Sequence, residues 1–230
     1  IREEELEKFL RPKLAHLSAP EALPNMPEAV TRLEQAIDRR ERVVLYGDYD
    51  VDGVTSLAIL SRVLRELGLV VRPFLPHRGD EGYGLSEDGL RRCLASERPH
   101  LLMAVDCGTS SLAEIAWLRA EGIDVIVLDH HEPALEGLPD AIVVNPKLGN
   151  DFHYLCTAGL AFKLAHALLK ARGTTAQRSL LENLLDLVAL GTVADVVKLD
   201  ANNRRLVAQG LKRVRAGAMP LGMTALFNVA

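Results

Sequence analysis

The stretch Val43-Val44-Leu45-Tyr46-Gly47-Asp48-Tyr49-Asp50-Val51-Asp52-Gly53 decides how the chain is read. Four apolar residues without polar alternation make a strand buried on both faces, as in a parallel sheet. Three aspartates at alternate positions follow, then Val54–Leu67, where Leu57, Leu60, Val63, Leu64 and Leu67 recur at helical spacing and Gly68 is the stop. A buried strand, an acidic turn and a helix form the opening of a strand–helix–strand unit.

The pattern repeats downstream. Leu101–Val105 and Val125–Leu128 are further buried strands, and Val70–Leu75 and Ile142–Val144 are two more candidates. One helix runs from Ser86 or Glu87 to Ala95; another, Leu112–Glu121, opens on a Ser111/Glu114 capping-box pattern and closes at Gly122. After Pro146 the pattern predicts three helices, Thr157–Arg172, Ser179–Leu190 and Asn203–Ala216, with two more, Glu3–Phe9 and Pro27–Arg39, around an N-terminal Pro-rich stretch. The expected fold is α/β: a doubly wound, mainly parallel five-stranded sheet flanked by helices, with a helical C-terminal portion. The expected division is an N-terminal helical extension over 1–40, the main domain over 41–200, and a C-terminal helix over 201–230 leading toward a second domain.

Composition fits a globular protein: 48% of the 230 residues are hydrophobic, and 27 basic side chains face 31 acidic ones. A net charge of −4 argues against a broad basic nucleic-acid face on this stretch. No apolar run approaches the ~18 residues of a membrane span, and Ile1–Lys13 lacks the apolar core of a signal peptide. Three cysteines, Cys93, Cys107 and Cys156, without CxxC spacing suit a reducing, cytoplasmic setting and oppose a thiolate zinc site. The first residue is not Met, which reads as a portion of a longer chain.

Ligands of open α/β sheets bind beyond the carboxyl ends of the strands. Here those ends carry Asp48, Asp50 and Asp52, then Asp106-Cys107-Gly108, then Asp129-His130-His131. Two like charges about 4 Å apart repel by ~4 kcal/mol at an effective dielectric of 20, so the aspartates either splay into water or share a cation. An EF-hand loop also opens D-x-D-x-D-G, but a strand precedes this one and its twelfth position is Ile59. Asp106 has a bland alternative as a helix cap. The two adjacent histidines cannot both point into one core, so one faces the cleft, and imidazole among carboxylates suits a borderline ion such as Mn2+. Asp195, set among apolar neighbours in Gly191–Val197, needs a partner: a metal, a cation or a helix-end hydrogen bond.

These segments, taken in order, resemble the motifs of the DHH phosphoesterases, and within them the RecJ single-strand-specific 5′→3′ exonucleases. Glu81-Gly82-Tyr83-Gly84-Leu85, Val144-Asn145-Pro146, Ala161-Phe162-Lys163-Leu164 and Leu199–Arg204 add to the resemblance, which spans nearly the whole chain. It implies two divalent ions, Mn2+ or Mg2+: one on Asp48, Asp50 and Asp106, the second on Asp52, Asp106, His130 and Asp195, with Asp106 bridging. It implies catalytic roles for His131, Asp106 and Asp50, phosphate contacts from His131 and Arg78, and Asp129 as the group orienting an imidazole. The implied reaction is hydrolysis of single-stranded DNA to 5′-mononucleotides by two metals about 3.5–4 Å apart, in DNA repair and recombination. RecJ proteins continue into a second substrate domain and an oligonucleotide-binding fold, so this portion is expected to hold metal but degrade DNA weakly or not at all. A single-strand-binding protein is an expected partner through those further domains. Rival readings are an oligoribonuclease, a cyclic-dinucleotide phosphodiesterase and a non-catalytic DHH scaffold.

Other features take structural readings: Cys107 and Cys156 as buried small residues, Trp117 as core, and Arg204, Arg205, Lys212, Arg213 and Arg215 as a solvated helix face. Tyr83 is either a base-stacking residue or a loop anchor.

Overall fold

The structure, a computed structural model, describes residues 3–149 and 152–229. Helices α1 (Glu3–Leu10) and α2 (Met26–Arg39) precede strand β1 (Arg42–Gly47). Then follow α3 (Val51–Glu66), β2 (Val70–Phe74), α4 (Glu87–Ser96), β3 (Leu101–Val105), α5 (Leu112–Ala120), β4 (Asp124–Leu128) and β5 (Ile142–Val144). The remainder is helical: α6 (Thr157–Arg172), α7 (Thr175–Arg178), α8 (Leu185–Ala194), α9 (Ala201–Arg215) and α10 (Leu221–Val229). Among the described residues no helix is long and apolar enough to cross a membrane.

All four strand pairings are parallel, in the order β2-β1-β3-β4-β5. Side chains alternate along β1. Val43 and Leu45 enter a core shared with α2, α3, α6 and α8, while Val44 and Tyr46 enter a second core under α4 and α5. This is the expected three-layer, doubly wound architecture. The chain leaves β1 toward β2 and later builds β3 on the other side, so the carboxyl ends of β1 and β3 flank a topological switch point, where such sheets open a crevice.

Several expectations need correction. Strand β2 is not buried on both faces: it is one of the two edge strands, Val70 is exposed, and Pro73 sits where an edge tolerates it. Helix α3 begins at Val51 rather than Val54, because the Asp50 carboxylate caps the helix by accepting from Gly53 N at 2.8 Å. The acidic segment is therefore the first turn of a helix, not a free loop. Ser111 makes no side-chain cap; its ψ of 63° leaves the extended region that aims a capping hydroxyl at the helix. The predicted helix Ser179–Leu190 is split: α7 runs into a 3₁₀ segment, Ser179–Leu184, before α8. Ser179 Oγ bonds back to Ala176 O there, and the tighter winding lets Leu180, Leu181, Leu184 and Leu185 all reach the core. Trp117 is half-buried on α5 rather than in the core, and α10 was not expected.

The N-terminal region is tied into the fold. Met26, Ala29, Leu33 and Ala36 of α2 belong to the main core. Ser18 is pinned from two helices: its N–H donates to Asn202 Oδ1, its hydroxyl accepts from Asn202 Nδ2, and its carbonyl accepts from the buried Lys163 ammonium.

Helices α8 and α9 pack with almost no gap at Gly210, where a β-carbon would lie 2.1 Å from Leu185 O and 2.5 Å from Ala189 Cβ. Gly210→Ala is expected to force the pair apart and destabilise the protein by about 1–3 kcal/mol, read from the denaturant midpoint.

Candidate metal centre

Four parts of the chain meet at the switch point. Asp48 follows β1; Asp50 and Asp52 belong to the cap and first turn of α3; Asp106 follows β3; Asp129, His130 and His131 follow β4; Asp195 caps the C-terminus of α8. His130 Nε2 stands among three of the carboxylates, 3.7 Å from Asp52 Oδ2, 3.5 Å from Asp106 Oδ1 and 3.6 Å from Asp195 Oδ2. Asp48, Asp50 and Asp106 present ligand oxygens all within 4.8 Å of one another. Asp106 belongs to both sets. Arg78 lies apart from them: its guanidinium sits 5.0 Å over the Tyr49 ring, Tyr49 meets Tyr83 edge-on, and Tyr83 meets His131 the same way.

Burial makes this arrangement costly. Asp48, Asp52 and Asp106 are each 1% exposed. Among the described residues no lysine or arginine pairs with any carboxylate of the cluster. Partial relief comes from backbone. Asp52 lies at the N-terminus of α6, where Thr157 N and Ala158 N donate to its two oxygens at 2.7 and 2.8 Å, the arrangement by which a helix start holds an anion. Thr157 Oγ1 donates to Asp106 Oδ1 at 2.7 Å. Asp48 Oδ1, Asp106 Oδ2 and Asp195 Oδ2 remain buried without a partner. Burial, with the Asp52 charge added, pushes Asp106 up to about 10; burial likewise raises Asp48, Asp52 and Asp195.

Two residues beside the cluster hold left-handed backbone, Asp106 at φ 66° and Val196 at φ 58°. Such conformations cost of order 1–3 kcal/mol, most of all for a β-branched residue, and persist where surroundings impose them. Gly53 meets a different constraint: a β-carbon would sit 2.4 Å from Asp48 O, so only glycine lets α3 start this close to β1.

Asp129 is a carboxylate of another kind. It accepts from Thr109 N, His130 N and His131 N and binds His131 Nδ1 at 2.7 Å. Its burial alone would raise it, but the bonds from His131 and Thr109 outweigh that and bring it to about 2. Reciprocally, the hydrogen bond to Asp129 raises His131 above the ordinary imidazole range. The other nitrogen of His131, Nε2, lies 2.8 Å from Tyr83 Oη. Asn145 Nδ2 donates to His131 O and Thr109 Oγ1, tying the end of β5 to the histidine loop.

Three groups that shape the site were not singled out as doing so by the sequence reading: Thr157, Thr109 and Asn145. Asn145 and Tyr83 lie in stretches already noted for their resemblance; Thr157 had no signal beyond opening an apolar helix.

Donor type and orphaned oxygens together fit dications: carboxylates and one imidazole are the ligands of borderline and hard ions. Residues 42–192 match the DHH family, N-terminal domain, and the chain belongs to that family. Within it the similarity is to RecJ proteins. The single-stranded-DNA-specific exonuclease RecJ of Dickeya dadantii is 44% identical over 201 residues, covering 82% of this chain and 34% of the relative. A crystal structure of exonuclease RecJ bound to manganese superposes with a TM-score of 0.77 at 40% identity, covering 86% of this chain and 50% of that one. RecJ from Thermus thermophilus in complex with Mn2+ gives 0.75 at 37% identity, covering 91% and 29%. The chain thus spans about a third of the length of the curated relatives it matches.

The raised carboxyls set a pH dependence. A group raised on folding stabilises the metal-free protein fully below its unfolded value, 3.8 for Asp106, and loses that contribution as pH climbs to about 10. The melting temperature in chelator is expected to fall across this window, and Asp106→Asn to flatten the fall. Asp129→Ala strands the buried N–H of Thr109 and the part-buried N–H of His130 and is expected to cost about 3 kcal/mol, checked by chemical denaturation.

Proposed function

We propose that the chain is the catalytic portion of a metal-dependent phosphodiesterase that removes 5′-mononucleotides from single-stranded DNA in the 5′→3′ direction, acting in repair and recombination in the cytoplasm. The observation that carries this reading is His130 Nε2 placed 3.5–3.7 Å from carboxylates contributed by α3, the end of β3 and the end of α8. The substrate class rests on the RecJ relatives, and the compartment on three free cysteines. The catalytic domain is placed over 41–200, with 1–40 as an N-terminal helical extension and 201–230 leading onward; the family match over 42–192 supports this division.

Asp48, Asp50 and Asp106 would hold one dication and Asp52, Asp106, His130 and Asp195 the second, Mn2+ being the first choice. When bound, such a pair makes water nucleophilic at neutral pH and offsets phosphate charge. The protein's own groups do the rest. Asp129 fixes Nδ1 of His131, so Nε2 is the end free to meet the scissile phosphate in place of the Tyr83 hydroxyl. A raised His131 carries the proton that the leaving 3′-oxygen needs. Water adds across the P–O3′ bond, hydroxyl to phosphorus and proton to oxygen, and the nucleotide leaves with its 5′-phosphate. Arg78, stacked on Tyr49, is placed to steer the incoming backbone.

Asp106→Ala is expected to lose both ions, and His131→Ala to keep them while losing turnover. Metal stoichiometry and nucleotide release from single-stranded DNA, measured on both variants, check this. Unchanged turnover in His131→Ala removes that histidine from the chemistry, and faster hydrolysis of short RNA or cyclic dinucleotides moves the substrate class. The rate per molecule is expected to fall below that of a full-length relative assayed beside it.

A further inference from the structure

Cys156 stands against the half of the cluster centred on His130. It immediately precedes α6 and is fully buried. Its Sγ and one carboxylate oxygen each of Asp52 and Asp195 all lie within 4.8 Å of one another. Those two carboxylates are the ones 3.7 and 3.6 Å from His130 Nε2. The thiol donates to Thr192 Oγ1 at 3.5 Å and also lies in hydrogen-bonding reach of the Asp52 carboxylate, contacts that use its proton and leave the sulfur lone pairs free. A second observation points independently to a ligand here. Asp106, 1% exposed, keeps Oδ2 without any partner while its Oδ1 lies 3.5 Å from the same His130 nitrogen.

The donors around this point are therefore one imidazole nitrogen, several carboxylate oxygens and one sulfur. We propose that Cys156 makes this half of the centre a site for thiophilic dications, Zn2+ or Cd2+, in competition with the ion that supports catalysis. The proposal rests on the metal-centre reading given above. Oxygen and imidazole donors suit Mn2+, but a thiolate shifts preference toward softer ions. Asp52, Asp195 and Cys156 supply two oxygen donors and one sulfur, a softer set than carboxylates alone, and His130 Nε2 lies beside the same two carboxylates. Capture through sulfur exchanges the S–H bond for an S–metal bond and releases the proton to solvent. The consequence is a centre for which thiophilic ions compete with the catalytic one.

The test is a Cd2+ titration followed by the ultraviolet thiolate-to-metal charge-transfer band. It is run beside a Mn2+ titration followed by electron paramagnetic resonance, on the unsubstituted protein and on Cys156→Ser and Cys156→Ala. The expected result is a band in the unsubstituted protein that both substitutions abolish. Cd2+ affinity falls about tenfold or more while Mn2+ affinity holds. Cys93→Ala and Cys107→Ala keep the band, which supports the assignment even if a Cys156 variant fails to fold. A band that survives in either folded Cys156 variant, or vanishes in Cys93→Ala or Cys107→Ala, overturns the proposal. So does the absence of any band beside intact Mn2+ binding, and in that case the metal-centre reading stands. Failure of the unsubstituted protein to bind Mn2+ sinks both.

Discussion

Like charge held in a nearly dry crevice is the constraint on which the rest of the molecule depends. Asp48, Asp52 and Asp106 are almost sealed from solvent, and their neighbours in the cluster are Asp50 and Asp195, with no basic partner among the described residues beyond the imidazoles of His130 and His131. Unrelieved, each pair at contact range opposes folding by several kcal/mol even with generous screening. The protein offsets part of this with backbone dipoles, aiming the first N–H groups of α6 at Asp52. It leaves the remainder uncompensated at three carboxylate oxygens, which is a preorganised demand for positive charge.

Topology explains how residues nearly 150 positions apart come to share that crevice. A parallel sheet sends every strand's carboxyl end to one rim, and the reversal of winding between β1 and β3 opens a gap there. The helices that follow the sheet complete it from above: α6 contributes its N-terminus and Thr157, α8 delivers Asp195. Left-handed backbone at Asp106, and at the exposed Val196 just after Asp195, shows that the chain is bent against preference where it enters and leaves the crevice. Asp129 serves a different end, spending its oxygens on holding the histidine loop.

Much of this was legible in the sequence, for reasons that also explain the exceptions. Strands β1, β3 and β4 are uninterrupted apolar runs, and α3 and α6 carry helical spacing with clear stops, so local pattern and tertiary role coincide. Edge strand β2 and the broken segment around Ser179 depend on what packs beside them, which no local pattern records. Asp48, Asp52 and Asp106 stand out because strand ends are where α/β sheets bind ligands. Thr157 and Cys156 do not, because an ordinary threonine and cysteine at a helix start gain meaning only when another segment arrives above them.

The clasp on Ser18 has a consequence for how the molecule is made. Its partner Asn202 lies 184 positions further on, and Lys163 is nearly as remote. On the ribosome, Ser18 emerges long before either partner exists, so its bonds wait while the sheet assembles. The last of these contacts waits for α9, so a segment made early is among the last to be fully fastened.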